Sequence, residues 1–151
     1  MSNYTLVVVD MQPFFKAASY PEVVVGVTQE ILAARSLRRP VIFLEYIGCE
    51  PTHYSLTGLL KGYALKARTR KDQDDGYREV ESVLRRRGFG NDVFRVCGVN
   101  ANYCVRSTAE GLAISFQSSK IHVVRRACGT DSESWDGWPS DYCRYKNMRL
   151  V

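Results

Sequence analysis

Near the start of the chain, Tyr4-Thr5-Leu6-Val7-Val8-Val9 forms an unbroken apolar run rich in β-branched residues and closed by Asp10. No polar alternation marks a solvent face. Such a run suits a strand buried on both sides, as in a parallel sheet covered by helices. Parallel strands need crossover connections, and the remaining sequence supplies them. Pro21 to Arg38 reads as a helix with Val24, Val27, Ile31, Leu32 and Leu37 for its buried side. Pro40 introduces a second buried strand, Val41 to Leu44. Ser55 to Gly62 reads as a short helix, Ala64 to Arg70 as a short strand, and Gly76 to Arg87 as a helix stopped by Gly88. Asp92 to Cys97 is a strand, Gly98 to Asn102 a loop, Tyr103 to Phe116 a helix and Lys120 to Val124 a further strand.

Strand–helix alternation of this kind predicts an α/β fold: a single-domain, three-layer α/β/α sandwich around a mostly parallel, doubly wound sheet. One domain over residues 1–151 is the expected organisation for this length. The tail from Cys128 to Val151 has weak periodicity but carries Trp135, Trp138, Tyr142 and Tyr145. It offers a lid or a subunit contact.

Composition narrows the classes. Hydrophobic residues are 45% and charged residues 25%, the balance of a globular chain and not a disordered one. No apolar run approaches the roughly 20 residues that a membrane helix needs. The start, Met1-Ser2-Asn3-Tyr4, has no basic segment, and the Leu6–Val9 run is too short for a secretion signal. A cytoplasmic location is expected. The net charge of +5 is a mild excess. Lys61, Lys66, Arg68, Arg70 and Lys71 cluster, as do Arg85, Arg86 and Arg87, and both read as solvated faces. No nucleic-acid module is present, so neither nucleic acid nor membrane is an expected partner. Five cysteines with no CxxC spacing and only His53 and His122 to join them argue against both a disulfide framework and a structural zinc site.

Open parallel sheets bind ligands at the carboxyl ends of their strands. That rule selects Asp10, Glu45 with Tyr46, Lys71, the Gly98–Cys104 segment and Arg125 to Cys128. Asp10 alone reads as a turn residue and Lys71 alone as a surface lysine. Together at one sheet edge they form a charge pair. Asp72, Asp74 and Asp75 lack the EF-hand spacing and read as loop and helix N-terminal charges. Cys104 sits at a predicted helix start after a strand and loop. The helix dipole there is expected to lower its pKa, and free N–H groups are available for an oxyanion. Cys97, inside a strand, reads as core. His122 reads as core and His53 as a loop histidine, so a thiol nucleophile needs a base other than histidine.

Three segments resemble one family. Leu6-Val7-Val8-Val9-Asp10-Met11-Gln12-Pro13-Phe14-Phe15 is similar to the opening "VVDMQ…F" motif of the isochorismatase-like cysteine hydrolases. Val96 to Ala109, with Gly98-Val99 and Cys104-Val105 followed by Thr108-Ala109, resembles their nucleophile segment. Lys71 with Asp75-Gly76-Tyr77 resembles the segment between them. The resemblance runs in the family's order and covers most of the chain to about Cys128.

It implies a catalytic triad of Asp10, Lys71 and Cys104, no cofactor, and hydrolysis of a C–N bond through a thioester. It also implies a non-proline cis peptide at Val99–Asn100, with the Asn100 and Cys104 N–H groups serving the oxyanion. Family members are usually oligomeric, so a homodimer or homotetramer is expected, acting on a small molecule. Phe14, Phe15, Tyr46 and Tyr103 are candidates to line the pocket, with core packing as the alternative for each. The Asp-x-His metal motif of nicotinamidases is absent from Glu45-Tyr46-Ile47-Gly48-Cys49-Glu50-Pro51-Thr52-His53, so no metal is expected. Asn100 and Asn102 replace the frequent Thr and Asp of the nucleophile loop, and the short chain suggests reduced covering loops. The resemblance implies a small amide, ureide or carbamoyl compound as substrate. The alternatives are a vinyl-ether hydrolase, a binding or scaffold protein without turnover, and a thiol redox protein using Cys97 and Cys104.

Overall fold

A computed structural model describes residues 3–151. Met1 and Ser2, part of the N-terminal reading above, lie outside the described residues. Six strands, β1 (Thr5–Val9), β2 (Val41–Tyr46), β3 (Lys66–Lys71), β4 (Val93–Val99), β5 (Lys120–Gly129) and β6 (Met148–Leu150), form one sheet in the order β3-β2-β1-β4-β5-β6. Every neighbouring pair is parallel. The helices are α1 (Pro21–Ser36), α2 (Tyr54–Thr57), α3 (Tyr77–Arg87) and α4 (Cys104–Ser115), with 3-10 turns at Lys16–Ser19 and Gly58–Leu60.

The β1 run behaves as its composition requires, with all five residues buried. Leu6 and Val8 face a core layer built with Val23, Val27, Ile31 and Ala34 of α1. Val7 and Val9 face the opposite layer with Val80 and Val83 of α3 and Val105, Ala109 and Leu112 of α4. This is the three-layer α/β/α sandwich. Glu30, buried on α1, ties that helix to the sheet through Arg95 of β4 at 2.7 Å and Arg126 of β5 at 2.6 Å.

Several boundaries differ from expectation. Glu45 and Tyr46 belong to β2, and Lys71 is the last residue of β3, so they stand on strand ends and not in the following loops. β4 continues through Gly98 to Val99. β5 runs past Val124 to Gly129 because a register shift between Val96 and Gly98 lets it re-pair with β4, and Arg125 to Cys128 therefore lie inside it. The extra strand β6 is held against β5 after Asn147, whose amide donates to the Ala113, Phe116 and Ser119 carbonyls. His122 is half-buried on β5, not core.

The strand order reverses between β1 and β4, the two central strands, from which the chain builds the sheet outward in opposite directions. Val9 pairs with both Leu44 and Gly98, so β1 ends between β2 and β4, which run two residues and one residue further. Gly98 has φ +119°, and a Cβ there would lie 2.1 Å from the Val9 carbonyl oxygen, so only glycine lets β4 approach β1 this closely.

Candidate active site

Asp10 follows β1 directly and has φ +52°, a left-handed conformation that Asp tolerates better than bulkier residues. Its N–H donates to the Leu44 carbonyl at 2.9 Å, which fixes the turn. Lys71 is delivered from the edge strand by the β2–β3 register, which sets it beside Tyr46. Cys104 is the first residue of α4. The three side chains meet in a nearly closed space, with Asp10 fully buried, Lys71 1% exposed and Cys104 6% exposed.

Lys71 organises the group. Its Nζ donates to Asp10 Oδ2 at 3.1 Å, to the Gln73 carbonyl at 3.1 Å and to Cys104 Sγ at 3.3 Å. It also stands 4.1 Å from the centre of the Tyr46 ring, a cation–π contact on a desolvated ammonium. Asp10 Oδ1 is left buried with no hydrogen-bond partner of good geometry, although the Cys104 thiol lies beside the same carboxylate. An acceptor in that state is suited to taking a proton.

The charge states run against the dipole expectation. Burial pushes the Cys104 thiol well above its ordinary value, and the Asp10 carboxylate pushes it further in the same direction, with Lys71 opposing. A helix terminus is worth about 0.3–2 kcal/mol. Desolvation of a buried group is worth several times that and wins here. Burial also raises Asp10 above the ordinary carboxylate value, with Lys71 pulling down. Burial and the Asp10 carboxylate both favour keeping the proton on Cys104 in the resting site.

The nucleophile loop is fastened on several sides. The Val99–Asn100 peptide is cis. The Ala101 N–H donates to the Gly129 carbonyl at 2.8 Å, and Asn100 Oδ1 accepts from the Asp131 N–H at 3.1 Å. Asn102 Oδ1 accepts from the Thr130 hydroxyl at 2.8 Å. Tyr142, fully buried, donates its hydroxyl to the Ala101 carbonyl at 2.5 Å. Trp135 and Trp138 stack edge-on beside it, so the aromatic tail packs on this protein's own core and supports the loop from behind.

Of the expected pocket residues, Tyr46 touches the site through Lys71, and Phe15 lies behind Tyr46 at 6.3 Å between ring centres. Tyr103 is half exposed at the entrance to α4, and Phe14 is largely exposed. His53 faces Ser19 at 3.4 Å and takes no part in the triad's contacts. Cys97 packs in the α1 layer, whereas Cys104 packs in the α3–α4 layer. The sheet separates them, which removes the dithiol redox reading. A surface cavity of about 450 Å³ among Tyr4, Glu30, Leu37, Arg95 and Arg126 opens elsewhere, at the amino ends of β1 and β4.

The residues in the place of the nicotinamidase metal motif do not fit a cation. Glu45 Oε2 accepts from the Thr52 N–H and hydroxyl, and the carboxylate lies 3.2 Å from Arg68 and 3.8 Å from Arg70. Glu45 Oε1 is buried without a hydrogen-bond partner, but the two guanidinium groups already offset the carboxylate's charge. Among the described residues no cluster of three or more His, Cys, Asp or Glu side chains is placed to hold a metal ion.

Three residues beyond the expected set shape the site. Gln12 joins the β1 and β2 loops by donating to the Tyr46 and Glu50 carbonyls and accepting from the Tyr46 N–H. Thr108 lies one turn after Cys104 on the same helix face, and its hydroxyl accepts from the Gly76 N–H at 3.0 Å. Asp74, expected to serve only the helix dipole, instead turns its Oδ1 to the Cys104 thiol at 3.7 Å. The Cys104-to-Thr108 spacing was a visible signal for the second; the other two contacts arise across loops distant in sequence.

No protein-family model and no curated protein sequence matches this chain. Solved structures do, and they consistently belong to the nicotinamidase and isochorismatase-like hydrolase superfamily. The MAR1 ribonuclease of Caenorhabditis elegans superposes with a TM-score of 0.73 at 25% identity, covering 87% of this chain and 67% of that one. The N-carbamoylsarcosine amidase of Thermoplasma acidophilum gives 0.71 at 20% identity over 99% of this chain and 95% of that one. A nicotinamidase of Staphylococcus aureus gives 0.70 at 20% identity over 85% and 84%. This chain shares their fold.

Proposed function

We propose that the protein is a cysteine amidohydrolase acting on a small amide, ureide or carbamoyl compound, with Asp10, Lys71 and Cys104 as its catalytic residues. The observation that carries this reading is one buried ammonium within 3.1 Å of Asp10 and 3.3 Å of Cys104 Sγ. Its fold neighbours include two amide hydrolases, which agrees. Asp10 takes the thiol proton as sulfur attacks the carbonyl carbon and the C–S bond forms. The Asn100 and Cys104 N–H groups face the oxyanion. The tetrahedral intermediate collapses, the C–N bond breaks, and the amine leaves with the proton held by Asp10. Water then attacks the thioester, Asp10 accepts its proton, and the acid departs as the thiol is restored. Lys71 keeps Asp10 ionised and offsets the negative charge passing between carboxylate and sulfur.

Phe15, Tyr46 and Tyr103 form the wall of the substrate site in this reading. Exposed apolar side chains at Phe14, Ile47, Tyr54 and Tyr103 stand on segments following β1, β2 and β4. They suit a second subunit, and sedimentation velocity checks the expected dimer or tetramer. Among the described residues no helix is long and apolar enough to cross a membrane.

Ammonia release from a panel of amides, ureides and carbamoyl compounds tests the chemistry. Activity on one class that falls more than about a thousandfold in Cys104→Ala is the expected outcome. Release unaffected by that substitution overturns it. A second reading, cleavage of an RNA phosphodiester, draws on the ribonuclease neighbour and on exposed Arg68 and Arg70 along the edge strand. Both arginines are engaged by Glu45, so it ranks behind the first. Cleavage of a short RNA that vanishes in Cys104→Ala would reverse the order.

A further inference from the structure

The thiol has two carboxylates beside it and one ammonium. Asp10 and Lys71 pair with each other, which leaves Asp74 as the uncompensated charge. Other charged groups on the same elements are occupied. Arg70 is 3.8 Å from Glu45, Arg106 pairs with Glu110 at 3.1 Å and lies 3.9 Å from Asp141, and Arg78 donates to the Tyr77 hydroxyl. Asp75 accepts from the Tyr77 N–H and packs against α4, where a Cβ on Gly111 would lie 2.4 Å from its carboxylate.

Asp74 is not a free surface side chain that happens to swing past. The Thr108 hydroxyl, fully buried, donates to the Asp74 carbonyl at 3.3 Å while accepting from the Gly76 N–H. The Gln73 carbonyl is held by Lys71. The backbone on both sides of the Asp74 Cα is thus pinned to the triad and to the helix that carries Cys104. Its side chain is the exposed member of the group, whereas the buried Asp10 presents an unpartnered Oδ1 beneath it. The Asp74 carboxylate thus stands on the exposed side of the thiol, carried by a backbone that the site holds in place.

We propose that Asp74 is a specificity-determining residue that selects neutral or cationic, N–H-bearing substrates and rejects those carrying a carboxylate or phosphate near the scissile bond. This rests on Cys104 being the nucleophile. An N–H group of an amide or ureide can donate to the Asp74 carboxylate, whereas an anion at the same distance is repelled. Two unit charges about 5 Å apart change relative rates roughly fourfold even at the dielectric of bulk water, and by more at a protein surface.

The test needs no knowledge of the substrate. Iodoacetamide and iodoacetate react with a thiolate by the same displacement: a C–S bond forms, iodide leaves, and the thiol proton passes to solvent. They differ in charge. Their rates at Cys104 are followed by peptide mass spectrometry in the intact wild-type protein and in Asp74→Asn, at low ionic strength. The expected result is a wild-type preference for iodoacetamide that shrinks roughly three- to tenfold in Asp74→Asn, through faster reaction with iodoacetate. An unchanged ratio with a reactive Cys104 overturns the role of Asp74 alone. Equal acceleration of both reagents also overturns it, because Asp74 would then act on the thiol and not on the incoming charge. The reactions are run above pH ~8.5, where the free thiol begins to ionise, and a Cys104 inert to both reagents in both proteins even there overturns the nucleophile reading and this inference with it.

Discussion

Burial raises both the Cys104 thiol and the Asp10 carboxyl, so the free protein keeps the proton on sulfur while Asp10 is the stronger acid of the two. Sulfur becomes a nucleophile only as substrate arrives and the proton moves to Asp10. The alkylation rate of Cys104 in the free protein should therefore keep rising past pH ~8.5, the ordinary thiol value, without a plateau below it. A plateau near neutrality in a pH series with iodoacetamide would show that the helix terminus dominates after all. Cys104 and Asp10 could be picked out from their motifs because each is set by a few neighbouring residues. The direction of the thiol's shift could not, because the dipole is a local feature while Asp10 arrives from 94 positions away in the chain.

At the scale of elements, the site depends on segments without chemistry of their own. The loop before α4 is held by Gly129, Thr130 and Asp131 after β5 and by Tyr142 from the tail. Replacing Tyr142 with Phe keeps the packing but leaves the buried Ala101 carbonyl without its donor. The expected cost is about 1–3 kcal/mol in urea unfolding, together with reduced Cys104-dependent turnover. A Tyr142→Phe variant as stable as wild type would show that water replaces the hydroxyl. The tail's aromatic residues were conspicuous in the sequence, but their weak periodicity gave no direction for them to face. Only the T-shaped contacts among Trp135, Trp138 and Tyr142 turn them inward. β6 was likewise invisible, since three residues carry too little pattern to mark a strand.

The whole molecule carries a pH liability from its interior thiols. Cys97 and Cys104 are buried in opposite layers, and burial raises both above the ordinary thiol value. In the unfolded chain each ionises near pH 8.5, so above that point the folded state holds more protons than the unfolded one. Stability is then complete below the unfolded value and is lost as pH rises towards the folded value. The loss is about 1.4 kcal/mol per thiol at pH 9.5. Thermal unfolding should show Tm falling between pH 8 and pH 10, with a shallower slope in Cys97→Ala/Cys104→Ala. An unchanged slope in the double variant would place the alkaline loss in other groups.

The sequence by itself determined the parallel α/β sandwich, because β-branched runs without a polar face can be satisfied only between two layers of helices. It also determined Asp10, Lys71 and Cys104 as candidates, through segments whose order and spacing are local properties. Tertiary structure alone decided that Lys71 reaches both partners, that Cys97 is cut off from Cys104 by the sheet, and that Asp74 turns to the thiol. Those outcomes depend on the register of an edge strand and on the closeness of loops far apart in the chain. Distances of 3–4 Å between such residues are set by packing, and no spacing along the sequence encodes them.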